Sequence, residues 1–127
     1  MTRADKTGVA ETGSGPGRGY VIGYLTDVET GPEIFEYMAR IEATFEPYGG
    51  EWLVHGSTPE VVEGELPGAV VIIGFPSVDA VRSWYASPPY QEILDLRSEH
   101  SRSVVAFLPG VPEGYRAADT IAKLQAG

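Results

Sequence analysis

AVVIIGFPSVDAVRSWYASPPYQEILDLRSEHSRSVVAFL, residues 69–108, holds the choice on which the fold turns. Two apolar runs, AVVIIGF (69–75) and SVVAFL (103–108), bracket a longer segment of mixed polarity. The runs are short and rich in Val, Ile and Phe, which reads as strand. Between them Ser77 suits an N-cap. The helix it opens is broken at Pro88-Pro89 and resumes from Tyr90 to about Ser98. Upstream, YVIGYLTD (20–27) reads as a strand and PEIFEYMARIEATFEPY (32–48) as a helix. Ile34, Phe35, Met38, Ile41 and Phe45 follow helical spacing, Pro32 suits a first turn, and Pro47 with Gly49-Gly50 ends the helix. EWLVHG (51–56) reads as a further strand with a ragged continuation through PEVVEGE (59–65). The order β-α-β-β-α-β predicts an α+β, ferredoxin-like protomer with an antiparallel four-stranded sheet.

The predicted domain covers residues 19–110. Residues 1–18, rich in Gly, Thr, Ser and charge, read as a disordered leader, and 111–127 as a C-terminal extension. AVVIIGF and SVVAFL are apolar on both faces, and YVIGYL nearly so, whereas a sheet with helices on one side only should alternate. The second face therefore needs a cover, and another copy of the same sheet is the simplest one. The expected partner is a second copy of the chain, in a homodimer packed sheet to sheet; AADTIAKLQ (117–125) reads either as a short helix laid on it or as a frayed end.

Composition excludes several classes of chemistry. The chain has 127 residues, room for one domain, and a net charge of −9, which opposes binding to nucleic acid or an anionic membrane. No apolar run is long enough to span a bilayer and the N-terminus lacks a signal-like apolar core, so a cytoplasmic location is expected. With no cysteine there are no thiolate nucleophiles, disulfides or Cys-ligated metals. Lys6 and Lys123 are the sole lysines, which leaves the domain without a Schiff-base anchor. The run GSGPGRG (13–19) lacks the spacing and the preceding strand of a dinucleotide loop. No cofactor and no metal are expected; His55, His100 and a carboxylate have no ligand spacing to commend them.

On the second half of the broken helix, Tyr90, Ile93, Leu94 and Arg97 share one face, with His100 three residues on. Arg97 thus points inward, where a charge needs a partner. Only four basic side chains lie between residues 19 and 109, against fourteen acidic ones. Two readings stand for Arg97: a structural ion pair or carbonyl contact, and a clamp for an anionic ligand oxygen. Trp84 reads as core; Tyr85 and Tyr90 flank the proline break and suit a pocket wall, as does Tyr24 on the first strand. Strand alternation puts Glu51, Leu53 and His55 on one face and Trp52 and Val54 on the other. Imidazole is a common general base, a role His55 could fill, and Glu63 could orient it or take a proton itself; both are also consistent with plain solvent exposure.

YGGEWLVHG (48–56), VVEGE (61–65), VVIIGFPSVDAVRSWYASPPYQEILDLR (70–97) and FLPG (107–110), taken in order, resemble the domain-of-unknown-function family 1330 of small dimeric α+β barrel proteins. The resemblance carries Tyr48-Gly49-Gly50, Glu63-Gly64, Phe75-Pro76-Ser77 and Trp84-Tyr85-x-Ser87-x-x-Tyr90, followed by Arg97. It implies a ferredoxin-like protomer and a sheet-to-sheet dimer, and no activity. Proteins of similar fold include cofactor-free polyketide monooxygenases, muconolactone isomerases and haem-dependent dismutases, a likeness of fold alone. Glu51 and His55 stand where relatives commonly carry arginine. That departure points to an acid–base enzyme acting on a small hydrophobic, oxygenated metabolite: an isomerase, cyclase, dehydratase or similar. Catalytic roles fall to His55, Arg97 and Glu63, and substrate contacts to Tyr85, Tyr90, Trp84, Tyr24 and His100. The alternatives are a non-catalytic small-molecule-binding dimer and a cofactor-free monooxygenase of the polyketide type.

Overall fold

The structure, a computed structural model, describes residues 17–127. Its elements are β1 (Gly19–Thr26), α1 (Pro32–Phe45), β2 (Glu51–Val54), β3 (Ala69–Phe75), α2 (Val78–Ala86), α3 (Pro88–Ser98), β4 (Arg102–Pro109) and α4 (Ala117–Ala126). The four strands form one antiparallel sheet in the order β2-β3-β1-β4, the predicted ferredoxin-like arrangement.

Local chemistry sets the boundaries. Proline opens α1 at its first position, and a 3-10 turn at Glu46–Tyr48 tightens its end. Gly49 then adopts a left-handed φ of 79° while its N–H donates to the Glu46 carbonyl at 3.0 Å. Ser77 caps α2 as expected, its Oγ accepting from Ala80 N at 3.1 Å. Ser87 separates α2 from α3: ahead of two prolines it is held extended, at ψ 144°. Its hydroxyl donates to the Trp84 carbonyl at 2.6 Å, so the break is bonded as well as buried. No strand continues β2 through 59–65; residues 57–67 lack regular structure.

One face of the sheet carries Val21, Gly23 and Leu25 of β1, flanked by Ile73 and Val71 of β3 and by Phe107 and Val105 of β4. Against it pack Ile41 and Phe45 of α1, Val81 and Trp84 of α2, and Tyr90 and Ile93 of α3, which together form the core. Trp84 is anchored within it by an indole N–H bond of 2.9 Å to Thr44 Oγ1. The stripe of α1 is rotated from its expected position. Ile34, Ile41 and Phe45 are buried as predicted, but Phe35 is 59% exposed and Met38 46%. Tyr37 and Thr44 take the inward places instead, because 34, 37, 41 and 44 track the 3.6-residue repeat more closely.

The other face carries Tyr20, Ile22 and Tyr24 with Ile72, Ala106 and Leu108, set by the strand register. It has no helix over it, and Val104 there is 63% exposed. Helix α4 buries none of its residues, and Leu124 on it is 75% exposed. The expected leader falls outside the described residues up to position 16. Arg18 is docked: it bonds Glu51 Oε2 at 2.7 Å and the Phe75 carbonyl at 3.3 Å. Among the described residues no helix is long and apolar enough to cross a membrane.

Candidate functional site

A cavity of about 300 Å³ lies between the sheet and the helices. Its lining is chiefly aliphatic and aromatic, from β1, β3, α1 and Trp84. Two polar stations interrupt it. Arg97 with Tyr37 and Tyr90 stands at one, and Trp52 with His55, Gly56 and Ser57 at the other.

The Arg97 station is buried. Arg97 is 5% exposed and Tyr90 1%. Nε of Arg97 donates to Tyr37 Oη at 3.2 Å, one terminal nitrogen to Ser103 Oγ at 2.5 Å, and the other to Tyr90 Oη at 3.3 Å. The two phenol oxygens are bonded to each other at 2.7 Å. No carboxylate pairs with Arg97 among the described residues; the buried cation is held by three hydroxyls and by the face of the Tyr37 ring, 5.6 Å from its centroid. A guanidinium has five N–H donors, and three are spent here. Of the two phenol protons, one serves the bond between the rings and the other is left over. The station therefore presents a surplus of donors and a net positive charge. Burial works against the charge of Arg97, but the Tyr90 and Tyr37 oxygens outweigh it and hold the guanidinium above its usual pKa. Burial drives Tyr37 far above the ordinary phenol range, with help from Tyr90; Arg97 opposes this and does not reverse it. Tyr37 is thus a neutral donor at any physiological pH.

The His55 station is built by a bulge. Trp52 pairs with Ile73 and Val54 with Ile72, so two steps along β2 match one along β3, and Leu53 is the extra residue. Simple alternation sets His55 and Trp52 on opposite faces; the bulge brings them to the same one. Their rings stack at 4.2 Å between centroids and 17° between planes. His55 is solvent-exposed and lines the cavity mouth, where Gly56 turns the chain away at φ 78°. The Arg97 station, carried by α1 and α3, touches the sheet at Ser103 of the edge strand β4, whereas the His55 station follows the opposite edge strand β2, with two strands between. At ~4.8 Å per strand, and allowing for the reach of both side chains, their polar ends are on the order of 10 Å apart.

Of the residues singled out from the sequence, His55, Arg97, Tyr90 and Trp84 line the one cavity. The others do not. Tyr24 projects from the opposite face because Gly23 and Leu25 take the inward positions, and its hydroxyl accepts from Gly68 N at 2.8 Å. Tyr85 lies behind Tyr90, ring against ring at 5.3 Å, and touches Phe107. His100 follows the end of α3, where its Nδ1 lies 3.1 Å from the Leu96 carbonyl and its Nε2 3.9 Å from Glu33. Glu63 is exposed on the β2–β3 connection, which leaves the cavity after Ser57. Glu51 occupies the outer face and pairs with Arg18, so its substitution for arginine does not touch the cavity. Among the described residues no three histidine or acidic side chains gather to hold a metal ion. Sequence reasoning missed Tyr37, Ser103 and Trp52. The 34-37-41 spacing pointed to Tyr37; nothing in the sequence announced the bulge that recruits Trp52.

No curated protein matches the chain in sequence. Solved structures that share its fold include the following three. The RPA0582 protein of unknown function from Rhodopseudomonas palustris is 20% identical, with a TM-score of 0.57 over 75% of this chain and 83% of its own. SnoaB, a cofactor-independent oxygenase from Streptomyces nogalater, is 21% identical, with a TM-score of 0.54 over 74% of this chain and 93% of its own. The hydroxynitrile lyase from Passiflora edulis is 17% identical, with a TM-score of 0.56 over 80% of this chain and 100% of its own. At such identity the likeness is one of fold. Residues 18–111 match the family described as Domain of unknown function (DUF1330), the family that the Gly49-Gly50, Phe75-Pro76-Ser77 and Trp84-Tyr85 motifs pointed to, and the chain belongs to it.

Proposed function

We propose that the cavity is the active site of a cofactor-free acid–base enzyme acting on a small hydrophobic, oxygenated metabolite. One observation carries the reading: Arg97, buried at the cavity with donors to spare and no carboxylate. A buried guanidinium without a carboxylate partner among the described residues keeps a net charge that a bound anionic oxygen would neutralise. A carboxylate or enolate oxygen accepts what Arg97 and the spare phenol proton offer.

The stations cannot meet at a single atom, being on the order of 10 Å apart. The substrate therefore spans them. Arg97 and the tyrosine pair hold the oxygen that carries negative charge. His55 takes a proton from a carbon conjugated with that oxygen, the C–H electron pair moving into the conjugated system as the enolate forms. Return of the proton at another carbon completes an isomerisation with atoms and charge balanced. The alternative is a binding protein without turnover, and the solvent exposure of His55 favours it. Replacement of His55 by alanine separates the two. The enzyme reading expects turnover to vanish while anion binding and melting temperature persist; unchanged turnover of an identified substrate rejects His55 as the base.

The protomer acts as a homodimer in this reading, the uncovered sheet face meeting its copy and α4 laid across the partner. The support is the apolar outer face, with Val104 63% and Leu108 45% exposed. Light scattering on the full chain tests it: a monomer at micromolar concentration rejects the dimer, and Val104→Asp should shift a dimer to monomer.

A further inference from the structure

The floor of the cavity contains a glycine that packing does not require. Gly23 lies in the middle of β1, paired with Val71 on one side and Val105 on the other, and it lines the cavity with both. Its φ is not positive. A Cβ added there meets only Leu25 Cδ1 at 3.6 Å and Val71 Cβ at 3.8 Å, ordinary contacts. Gly19 and Gly74 in the same sheet differ: a Cβ would fall 2.4 Å from the Ser77 carbonyl oxygen at the first and 2.9 Å from Leu53 Cδ1 at the second. Glycine inside a strand is less stable than alanine, and often marks the close approach of a ligand to backbone. With neither torsion nor crowding demanding it, Gly23 answers to the contents of the cavity. It leaves a thin strip of bare backbone between two valine side chains.

We infer that this strip seats a flat ring system, and that the ligand is an aromatic or extended conjugated monoanion of roughly a dozen non-hydrogen atoms. The inference rests on the reading of Arg97 as an anion anchor. A ring face can lie on β1 at Gly23 because the strand's amides are committed to its ladders with β3 and β4, so no free polar group is covered. A puckered body of equal mass would strike Val71 and Val105. The size follows from the volume, since about 300 Å³ is twice the ~150 Å³ of an apolar cavity that takes benzene. The charge is single because Arg97 is the cation at the cavity and its neighbours there are hydroxyls. At the mouth the stacked Trp52 and His55 rings continue the flat surface.

The test uses the full chain labelled with nitrogen-15. The indole N–H signals of Trp52 and Trp84, the two tryptophans of the chain and both at the cavity, report occupancy. The probes are 2-naphthoate, benzoate, decahydro-2-naphthoate and the neutral 2-naphthylmethanol. Expected is a preference for 2-naphthoate of at least tenfold over each of the others. Gly23→Ala should cut the preference for 2-naphthoate over benzoate at least tenfold without lowering the melting temperature. If decahydro-2-naphthoate binds as well as 2-naphthoate, the flat seat is overturned. It is equally overturned if Gly23→Ala keeps the preference intact, and in both cases the anion anchor stands. If 2-naphthylmethanol matches 2-naphthoate, the anchor itself fails, and if no probe moves either indole both readings fall.

Discussion

The two ends of the cavity are polar for opposite reasons. The Arg97 end is buried, over-supplied with donors and locked by three hydroxyls drawn from α1, α3 and β4. At the other end the His55 imidazole is exposed, held by one ring stack, and placed by a single extra residue in a four-residue strand. The first is built to bind and to exclude water; the second is built to exchange protons with it. A site assembled this way separates affinity from turnover, so substitutions at the two ends should fail differently.

The largest effect is expected at Arg97. Arg97→Met should weaken 2-naphthoate binding by about 2–5 kcal/mol, the usual loss when one side of a buried, hydrogen-bonded charge pair is removed. Stability should change by no more than about 1 kcal/mol, because relief of desolvation offsets the lost bonds. Calorimetric titration with urea melts reads both; intact affinity would return Arg97 to a structural role. Next comes Tyr37→Phe, expected to cost about 1–2 kcal/mol of stability through the lost phenol bonds. It should also alter the alkaline limb of the stability curve. The folded pKa of Tyr37 lies above its unfolded value near 10, so the folded state keeps a proton that the unfolded chain sheds. That contribution is complete below about pH 10 and drains away as pH rises beyond it. Urea midpoints from pH 8 to 11 should therefore fall less steeply in the variant, and a parallel fall would contradict the burial of this phenol.

At the other end, His55→Ala should leave anion affinity within threefold and cost about 0.5–1 kcal/mol through the lost stack on Trp52. A tenfold loss of affinity would mean that the two ends act on one part of the ligand. The smallest effect belongs to Glu51→Ala. Its half-exposed pair with Arg18 should be worth ~0.5 kcal/mol or less, with no change in binding, since it lies on the outer face. Thermal melts and the same titration suffice, and altered binding would place Glu51 nearer the cavity than its register allows.

The fold was legible because each of its signals was local or periodic: Ser77 before an apolar helix, Pro88-Pro89 within one, and Gly49-Gly50 after one. Arg97 was legible for the same reason, since its inward direction follows from Tyr90 and Ile93 by helical spacing alone. Its partners were not. Tyr37 and Ser103 reach it across 60 and 6 residues respectively, and which hydroxyls converge depends on how α1 lies over α3. His55 shows a further limit. Alternation assigned it a face, and one unpaired residue reversed its relation to Trp52, a change of parity that carries no composition signature. Tyr24 and Glu63 looked chemical by type, but Tyr24 projects from the opposite face of the sheet and Glu63 lies exposed on the connection beyond the cavity.

The sheet topology also carries a schedule. β1 at Gly19–Thr26 pairs along its length with β4 at Arg102–Pro109, so the central strand gains its second neighbour from the far end of the domain. At ribosomal rates of ~5–20 residues per second, some eighty residues of delay amount to seconds. Until β4 arrives, β1 keeps an open edge beside an apolar surface. The newborn chain therefore passes through a stage with a template for mispairing, and the last strand to appear closes it.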